Sequence, residues 1–236
     1  MDDAVVDVRG LSKRFGRRTV VRDVSLRLCA GDLIGLVGAN GGGKTTTLRM
    51  LAGLVAPDSG SGSVLGTALG SGRIDRARIG YMSQRLALYP ELTVVENLRF
   101  HARVHAVGLA AVDDSIAHYG LDPVADQRFG ILSGGWARRV QFAASVIHAP
   151  PLLLLDEPTA GLDIVTRQLI WGWLFVLAAA GHTIVVSTHD LTEAARLPQI
   201  VLYRDGRAAP QTTPVAVMAQ AGAATLDAAV LGGIQA

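Results

Sequence analysis

Two hydrophobic rhythms alternate along this chain. Short apolar runs without polar interruption appear at "DLIGLV" (Asp32 to Val37), "PPLLLLDEP", "HTIVVSTHD" and "QIVLYRDGR". Such runs predict strands buried on both faces, as parallel sheets prefer. Between them, apolar residues return every three or four positions. "TTTLRMLAGL" predicts a helix with Leu48, Leu51 and Leu54 on one face. From about Glu91 to Ala149 the pattern stays helical, through "TVVENLRFHARVHAVG", "VDDSIAHYG" and "SGGWARRVQFAASVIH". Ahead of these come two early strands, "AVVDVRGL" and "VVRDVSLRL", joined by a basic turn "SKRFGRR". "PDSGSGSVLG" adds a turn and a short strand, and "RIGYMSQ" a strand ending at Gln84. Strands alternating with helices predict an α/β fold with a helical insert. The Ala-rich tail "VAVMAQAGAATLDAAVLGG" has helical composition and no chemistry to read.

The bulk properties narrow the class. The chain has 236 residues, half of them hydrophobic, enough for one α/β domain with a subdomain. Net charge is +2, so the overall balance points to no nucleic-acid partner. A single cysteine, Cys29, excludes an internal disulfide and suits a reducing compartment. The start "MDDAVVDVRG" is acidic and unlike a secretory signal. The most apolar run, "LIWGWLFVLAAAG", has 13 residues, short of the ~20 a spanning helix needs, and predicts a buried helix.

The strongest chemical signal is "GANGGGKTTT". It fits G-x-x-x-x-G-K-[ST] with Gly38, Gly43, Lys44 and Thr45 in the fixed places and Ala39, Asn40, Gly41 and Gly42 between them. Thr46 follows on the helix. Glycines let consecutive backbone N–H groups face one concavity, which binds anions. The next helix adds its positive N-terminal end. Lys44 is one of only two lysines beside twenty arginines, which points to a need for a compact charge. It is expected to reach the β- and γ-phosphates as the only cation near them, with Thr45 on Mg²⁺. The flanking strand and helix are the setting this loop requires.

Other motifs choose among P-loop proteins. Asp156 and Glu157 end an apolar strand, which delivers both carboxylates to the mouth of a parallel sheet. Asp156 is expected to support Mg²⁺, leaving Glu157 to polarise the attacking water. Ser133, Gly134 and Gly135 in "LSGGWARRV" open a second helix, another anion-ready N-terminus. Two such ends make sense if two chains pair head to tail and each closes the other's nucleotide.

With these motifs in this order, the chain resembles the ATP-binding-cassette (ABC) ATPases over nearly its whole length. The residues carrying the resemblance are "LSGG", "LLLLDEP", "AGLD" (Ala160 to Asp163), Gln84 in "YMSQ" and His189 in "STHD". The resemblance implies a P-loop NTPase fold with a RecA-like, mostly parallel sheet core, an N-terminal antiparallel β part and a helical subdomain. It implies one domain over 1–236, with the helical subdomain at about 91–149 and the tail at about 210–236. By similarity, Phe15 stacks on adenine, Gln84 touches Mg²⁺ and the water, and His189 contacts the γ-phosphate. Ser133, Gly134 and Gly135 complete the partner chain's site, and Asp163 links the two sites. ATP and Mg²⁺ are the implied cofactors. A homodimer in the ATP-bound state and a separate membrane permease are the implied partners. The implied place is the cytoplasmic face of a bacterial inner membrane. Permease docking is expected around "RLALYPELTVV", with Leu86, Leu88 and Tyr89 exposed. Trp136, where the family commonly has Gln, and the stretch "RIGYMSQRLALYPELTVVENLRF" look like the branch that powers bacterial drug, antibiotic and lipid-like exporters. The family often has Pro at Ala39, Ala at Gly42 and Pro at Ile164; none of these departures removes a catalytic group. The alternative class is a cassette ATPase acting on ribosomes or DNA. Those resemble tandem domains or carry long coiled-coil insertions, and neither is seen here.

Overall fold

The computed structural model describes residues 4–232. The acidic residues at the extreme start and the last residues of the Ala-rich tail, which the sequence reading included, lie outside that range.

The chain begins with an antiparallel pair, β1 (Val6–Phe15) and β2 (Arg18–Leu28), with Phe15 opposite Arg18. The expected seven-residue basic turn is therefore only Gly16 and Arg17, and the rest of it is strand. Gly16, at φ 57°, takes the left-handed conformation a tight hairpin needs. Arg14 and Arg18 on either side of it occupy exposed strand positions.

β3 (Leu33–Gly38) leads into α1 (Lys44–Leu51). Leu48 and Leu51 are buried, but Leu54 is 49% exposed. The helix has ended before it, because Gly53 turns the backbone at φ 65°. Then come β4 (Ser59–Val64), β5 (Thr67–Ala68) and β6 (Ile79–Met82). The helical stretch holds α2 (Val94–Val104), α3 (Ala110–His118) and α4 (Gly134–Val146). β7 (Leu152–Asp156), α5 (Ile164–Ala179), β8 (Thr183–Thr188), α6 (Leu191–Ala194), β9 (Gln199–Arg204) and β10 (Arg207–Ala208) follow. The chain closes with α7 (Pro214–Ala221) and α8 (Leu226–Gly232).

Among the described residues, ten strands form one sheet in the order β5-β4-β1-β2-β10-β9-β3-β8-β7-β6. The run from β9 to β6 is parallel, with β3 between β9 and β8. β1, β2, β4 and β5 make the antiparallel end. This is the expected fold class, an α/β P-loop NTPase.

Both faces of the parallel run are covered. Leu153 and Leu155 of β7 face one apolar cluster, while Leu152 and Leu154 face the other. That double burial explains why "LLLL" shows no alternation. α5 departs from expectation. Ile170, Trp171 and Leu174 are buried, but Leu169, Phe175 and Val176 are 40%, 36% and 59% exposed. It is a half-buried helix with an apolar outer face. Among the described residues no single helix is long and apolar enough to cross a membrane, and α7 and α8 meet at a bend of 53°.

α2 begins with a capping box, in which Thr93 and Glu96 each bond the other's backbone N–H. One turn on, the buried Asn97 side chain accepts from Tyr89 N at 2.9 Å and donates to Tyr89 O at 3.0 Å. The loop after Gln84 is thereby tied to α2. In that loop Leu86 and Tyr89 are each 48% exposed, whereas Leu88, also expected outside, is buried. It packs in the same apolar cluster as Val94 and Leu98.

α4 lies directly on β6 because residue 80 is glycine. A Cβ there would run into the carbonyl oxygen of Ser145 and into Leu153 and Pro150. Gly80→Ala is expected to cost about 1–3 kcal/mol through overpacking, lowering Tm by ~2–4 °C for each kcal/mol. A thermal melt checks this, and an unchanged Tm would mean that α4 can move outward freely.

Candidate functional site

The parallel strands end level with one another, and their ends build the site. Register sets Val37 beside Thr188 and Asp156 beside Ser187. The loop Gly38–Gly43 then wraps the N-terminus of α1. At Gly38 (φ 153°) and Gly43 (φ 104°) a side chain would be strained and would strike the carbonyl oxygens of Tyr203 and Val20. Tyr203 backs the loop from β9, with its hydroxyl 3.0 Å from Thr47 Oγ1. Burial pushes the Tyr203 phenol up, so it stays neutral.

Lys44 is 4% exposed. Its ammonium donates to Gly38 O at 2.5 Å and Ala39 O at 3.0 Å, and stands 3.8 Å from Glu157 Oε1. Burial lowers its pKa, while Glu157 and Asp156 push it back up. A second cation lies near the loop. An Arg18 guanidinium nitrogen lies 4.0 Å from where a Cβ on Gly41 would be.

Asp156 and Glu157 are both buried, as strand-end carboxylates beside the loop. Asp156 Oδ1 accepts from Thr45 Oγ1 at 3.0 Å and from Ser187 Oγ at 2.6 Å. Glu157 sits at φ 48°, left-handed backbone that costs a non-glycine residue about 1–3 kcal/mol. Its N–H donates to Ser187 O at 3.2 Å and to Ser187 Oγ at 2.9 Å, which holds that conformation. The carboxylate meets three groups: Gln84 Nε2 at 3.2 Å, His189 Nδ1 at 3.2 Å and the Lys44 ammonium. The chain's sequence-predicted catalytic residues therefore converge on a single carboxylate.

The remaining candidates do not join that cluster. Gly135 at the start of α4 faces Thr166 and Asp163 instead, where its missing Cβ would stand 3.2 Å from Thr166 Oγ1 and 3.5 Å from Asp163 Oδ2. Asp163 caps α5, accepting from Thr166 N at 2.9 Å and Thr166 Oγ1 at 2.8 Å, and these bonds hold its pKa down. Ser133 occupies the N-cap of α4, yet its hydroxyl makes no capping bond. Ser133 and Gly134 are exposed, so this helix end faces outward. Phe15, 52% exposed at the tip of β1, has the Lys13 ammonium 5.6 Å from its ring centre. It is not a core aromatic.

A cavity of about 1180 Å³ opens along the loop, lined by Gly38–Gly42, Asn40 included, with Arg17, Arg18, His189 and Tyr203. Its size and glycine-rich wall suit a nucleotide, while Lys44, Thr45 and Glu157 lie outside its lining. Thr45 Oγ1 and Asp156 supply adjacent oxygen donors, which fit a small hard cation that keeps much of its water.

Sequence reasoning missed Ser187 and Arg138. Ser187 is the first polar residue after the apolar run Ile184–Val186 and stands two before His189, a signal that was there to read. Arg138 is one of two arginines in "WARRV", and only packing distinguishes them.

A family model described as ABC transporter matches residues 21–160. Nod factor export ATP-binding protein I of Paraburkholderia xenovorans is 38% identical over 225 residues, 93% of this chain and 74% of that protein. The same-named protein of Burkholderia lata is 40% identical over 224 residues, 92% and 74% of the two chains. A solved ATP-binding subunit of an ABC transporter superposes with a TM-score of 0.86 at 28% identity, covering 96% of this chain and 98% of that one. A dimeric ATP-binding cassette in a post-hydrolysis state with ADP and Pi gives 0.81 at 26% identity, covering 88% and 98%. This chain belongs to the ABC transporter family and is an ATP-binding, ATP-hydrolysing subunit of that kind.

Proposed function

We propose that this ATPase powers export through a separate membrane permease from the cytoplasmic face of the inner membrane. Export is supported by the relatives named for it, which align with more than nine-tenths of the chain. The observation that carries the catalytic reading is the convergence of Gln84, His189 and Lys44 on the Glu157 carboxylate.

In this reading the chain is one ATPase domain with a helical subdomain at about 91–149. The nucleotide's phosphates lie in the nest Gly38–Gly43 at the α1 N-terminus, with Thr45 and Thr46 in the first turn. Lys44 turns from its loop carbonyls to the β- and γ-phosphates. Phe15 offers an exposed ring to adenine. Thr45, Asp156 and Gln84 would hold Mg²⁺, which when bound would neutralise phosphate charge. Glu157 takes the proton of the attacking water, oriented by Gln84 and His189. His189 then faces the γ-phosphate. Oxygen attacks phosphorus in line, the bond to ADP breaks, and phosphate leaves.

The outward α4 end, with Ser133, Gly134 and Gly135, closes the ATP of a second copy, and Asp163 lies beside it at the seam. The permease seats on the loop after Gln84. There Leu86 and Tyr89 are exposed, and Phe100 packs edge-on to Tyr89 at 5.0 Å.

Glu157→Gln keeps shape and loses proton affinity. It is expected to bind ATP normally and lower kcat by about 10²-fold or more. Size-exclusion with ATP and Mg²⁺ is expected to show a dimer that vanishes without nucleotide. A variant with wild-type turnover rules Glu157 out as the base.

Mixing tests the head-to-tail arrangement. Ser133→Arg blocks the partner's site and spares its own loop, while Lys44→Ala does the reverse. Their heterodimer pairs one doubly defective site with one sound site, as two-fold pairing demands. A covalently linked heterodimer is expected to bind one ATP tightly at the sound site. If Ser133→Arg instead abolishes ATP binding by its own monomer, the second helix end belongs to the same chain's pocket.

A further inference from the structure

Arg138 is a charged side chain with 6% exposure in the second turn of α4, away from any solvent role. Its guanidinium makes four hydrogen bonds. Nη1 donates to Ser83 O at 3.0 Å and to Gln141 Oε1 at 2.9 Å. Nη2 donates to Gln84 O at 2.6 Å and to Glu157 O at 3.3 Å. Gln141, one turn further along α4, adds bonds from Nε2 to Ser83 O at 3.3 Å and Arg85 O at 2.9 Å. A planar fork is suited to this, since it can reach carbonyls on two separate segments at once. Burial pulls the Arg138 pKa down, but the nearby Asp156 and Glu157 carboxylates oppose that.

The three carbonyls belong to the two segments that carry Gln84 and Glu157. The helix that grips them is the one whose first turn holds Ser133, Gly134 and Gly135. One end of α4 thus faces outward, and its second turn holds the backbone under the chain's own catalytic carboxylate. Glu157 needs such support, because its left-handed backbone is strained.

We propose that Arg138 is a positioning residue that couples the two ATP sites of the dimer. It transmits the seating of α4 on the partner's nucleotide to Glu157 and Gln84 of its own chain. Arg138 acts through the backbone carbonyls of Ser83, Gln84 and Glu157. This rests on the reading of Glu157 as base and of the α4 end as acting in trans. The chemical class it serves is unchanged; what it adds is that each site reports its closure to the other.

The test compares Arg138→Lys and Arg138→Met with Glu157→Gln, using the chain assayed for ATP hydrolysis, ATP binding and thermal melting. Lys retains charge but can satisfy only part of the fork, so it is expected to restore part of what Met loses. Both folded variants are expected to bind ATP within about twofold of wild type, with KM similarly unmoved. In Met, kcat is expected to fall about tenfold or more, and the Hill coefficient for ATP to fall towards one. A merely structural role would lower binding and kcat together and leave cooperativity in the residual activity. The proposal is overturned if a folded Arg138→Met keeps kcat within twofold or keeps wild-type cooperativity. Loss of the fold in both Arg138 variants also overturns it, because the residue is then structural. If Glu157→Gln hydrolyses ATP normally, it is the reading of the base that fails, and that result is read separately from the Arg138 variants.

Discussion

An ammonium with almost no access to water must be surrounded by oxygen, and much of this molecule is arranged around that requirement at Lys44. Burying an ion costs several kcal/mol unless partners replace its water. Two loop carbonyls do so directly, and Glu157 stands 3.8 Å away. Carboxylates can stand there only if β7 ends at the level where β3 turns into the glycine loop. The parallel register supplies that level, with β8 between them and Ser187 binding Asp156. Steric closeness does the rest. Tyr203 and Val20 press on the loop so tightly that residues 38 and 43 tolerate no side chain.

Legibility from sequence followed the locality of each signal. The loop Gly38–Gly43 and the strand-end pair Asp156–Glu157 were readable because their spacing is their mechanism. The parallel strands were readable because burial on both faces removes alternation. Leu54 and Leu88 were misplaced for opposite reasons. Gly53 ends the helical period before Leu54, whereas Leu88 turns inward from a loop that looked uniformly exposed. α5 was read as buried from its composition, but composition does not say how many faces of a helix are covered. The basic hairpin looked like a long turn because arginines there occupy exposed strand positions. Arg138 was invisible for a deeper reason. Its partners are main-chain carbonyls more than fifty residues away in sequence at Ser83 and Gln84, and carbonyls have no sequence signature.

Exposure divides the site into two halves with different physical character. Lys44, at the first position of α1, and Asp156 and Glu157, at the end of β7, are 4%, 2% and 6% exposed. Asp156 is bonded by Thr45 and Ser187 within the chain itself. His189, Gln84, Ser133 and Phe15 sit on loops, helix ends or a hairpin tip. All four are exposed. A buried, satisfied group holds its geometry before substrate arrives, which is what electrostatic preorganisation requires. An exposed group on a loop is cheap to move, which is what closure requires.

That division constrains where control can enter. The backbone of β7 up to Asp156 cannot report the state of a second chain, since moving it would break its pairing with β8. Gln84 and His189 can, but each touches the carboxylate through one contact of 3.2 Å. Single contacts of this length are weak levers on a charged group, worth about 1.5–3 kcal/mol each. The backbone of Glu157 offers a further route of similar size, because its left-handed conformation costs about 1–3 kcal/mol, which a change in support can shift. The N–H side of that backbone is fixed by Ser187, which belongs to the sheet. The carbonyl side is held by a helix whose other end is open to solvent. Of the two supports, only the second is free to carry a signal.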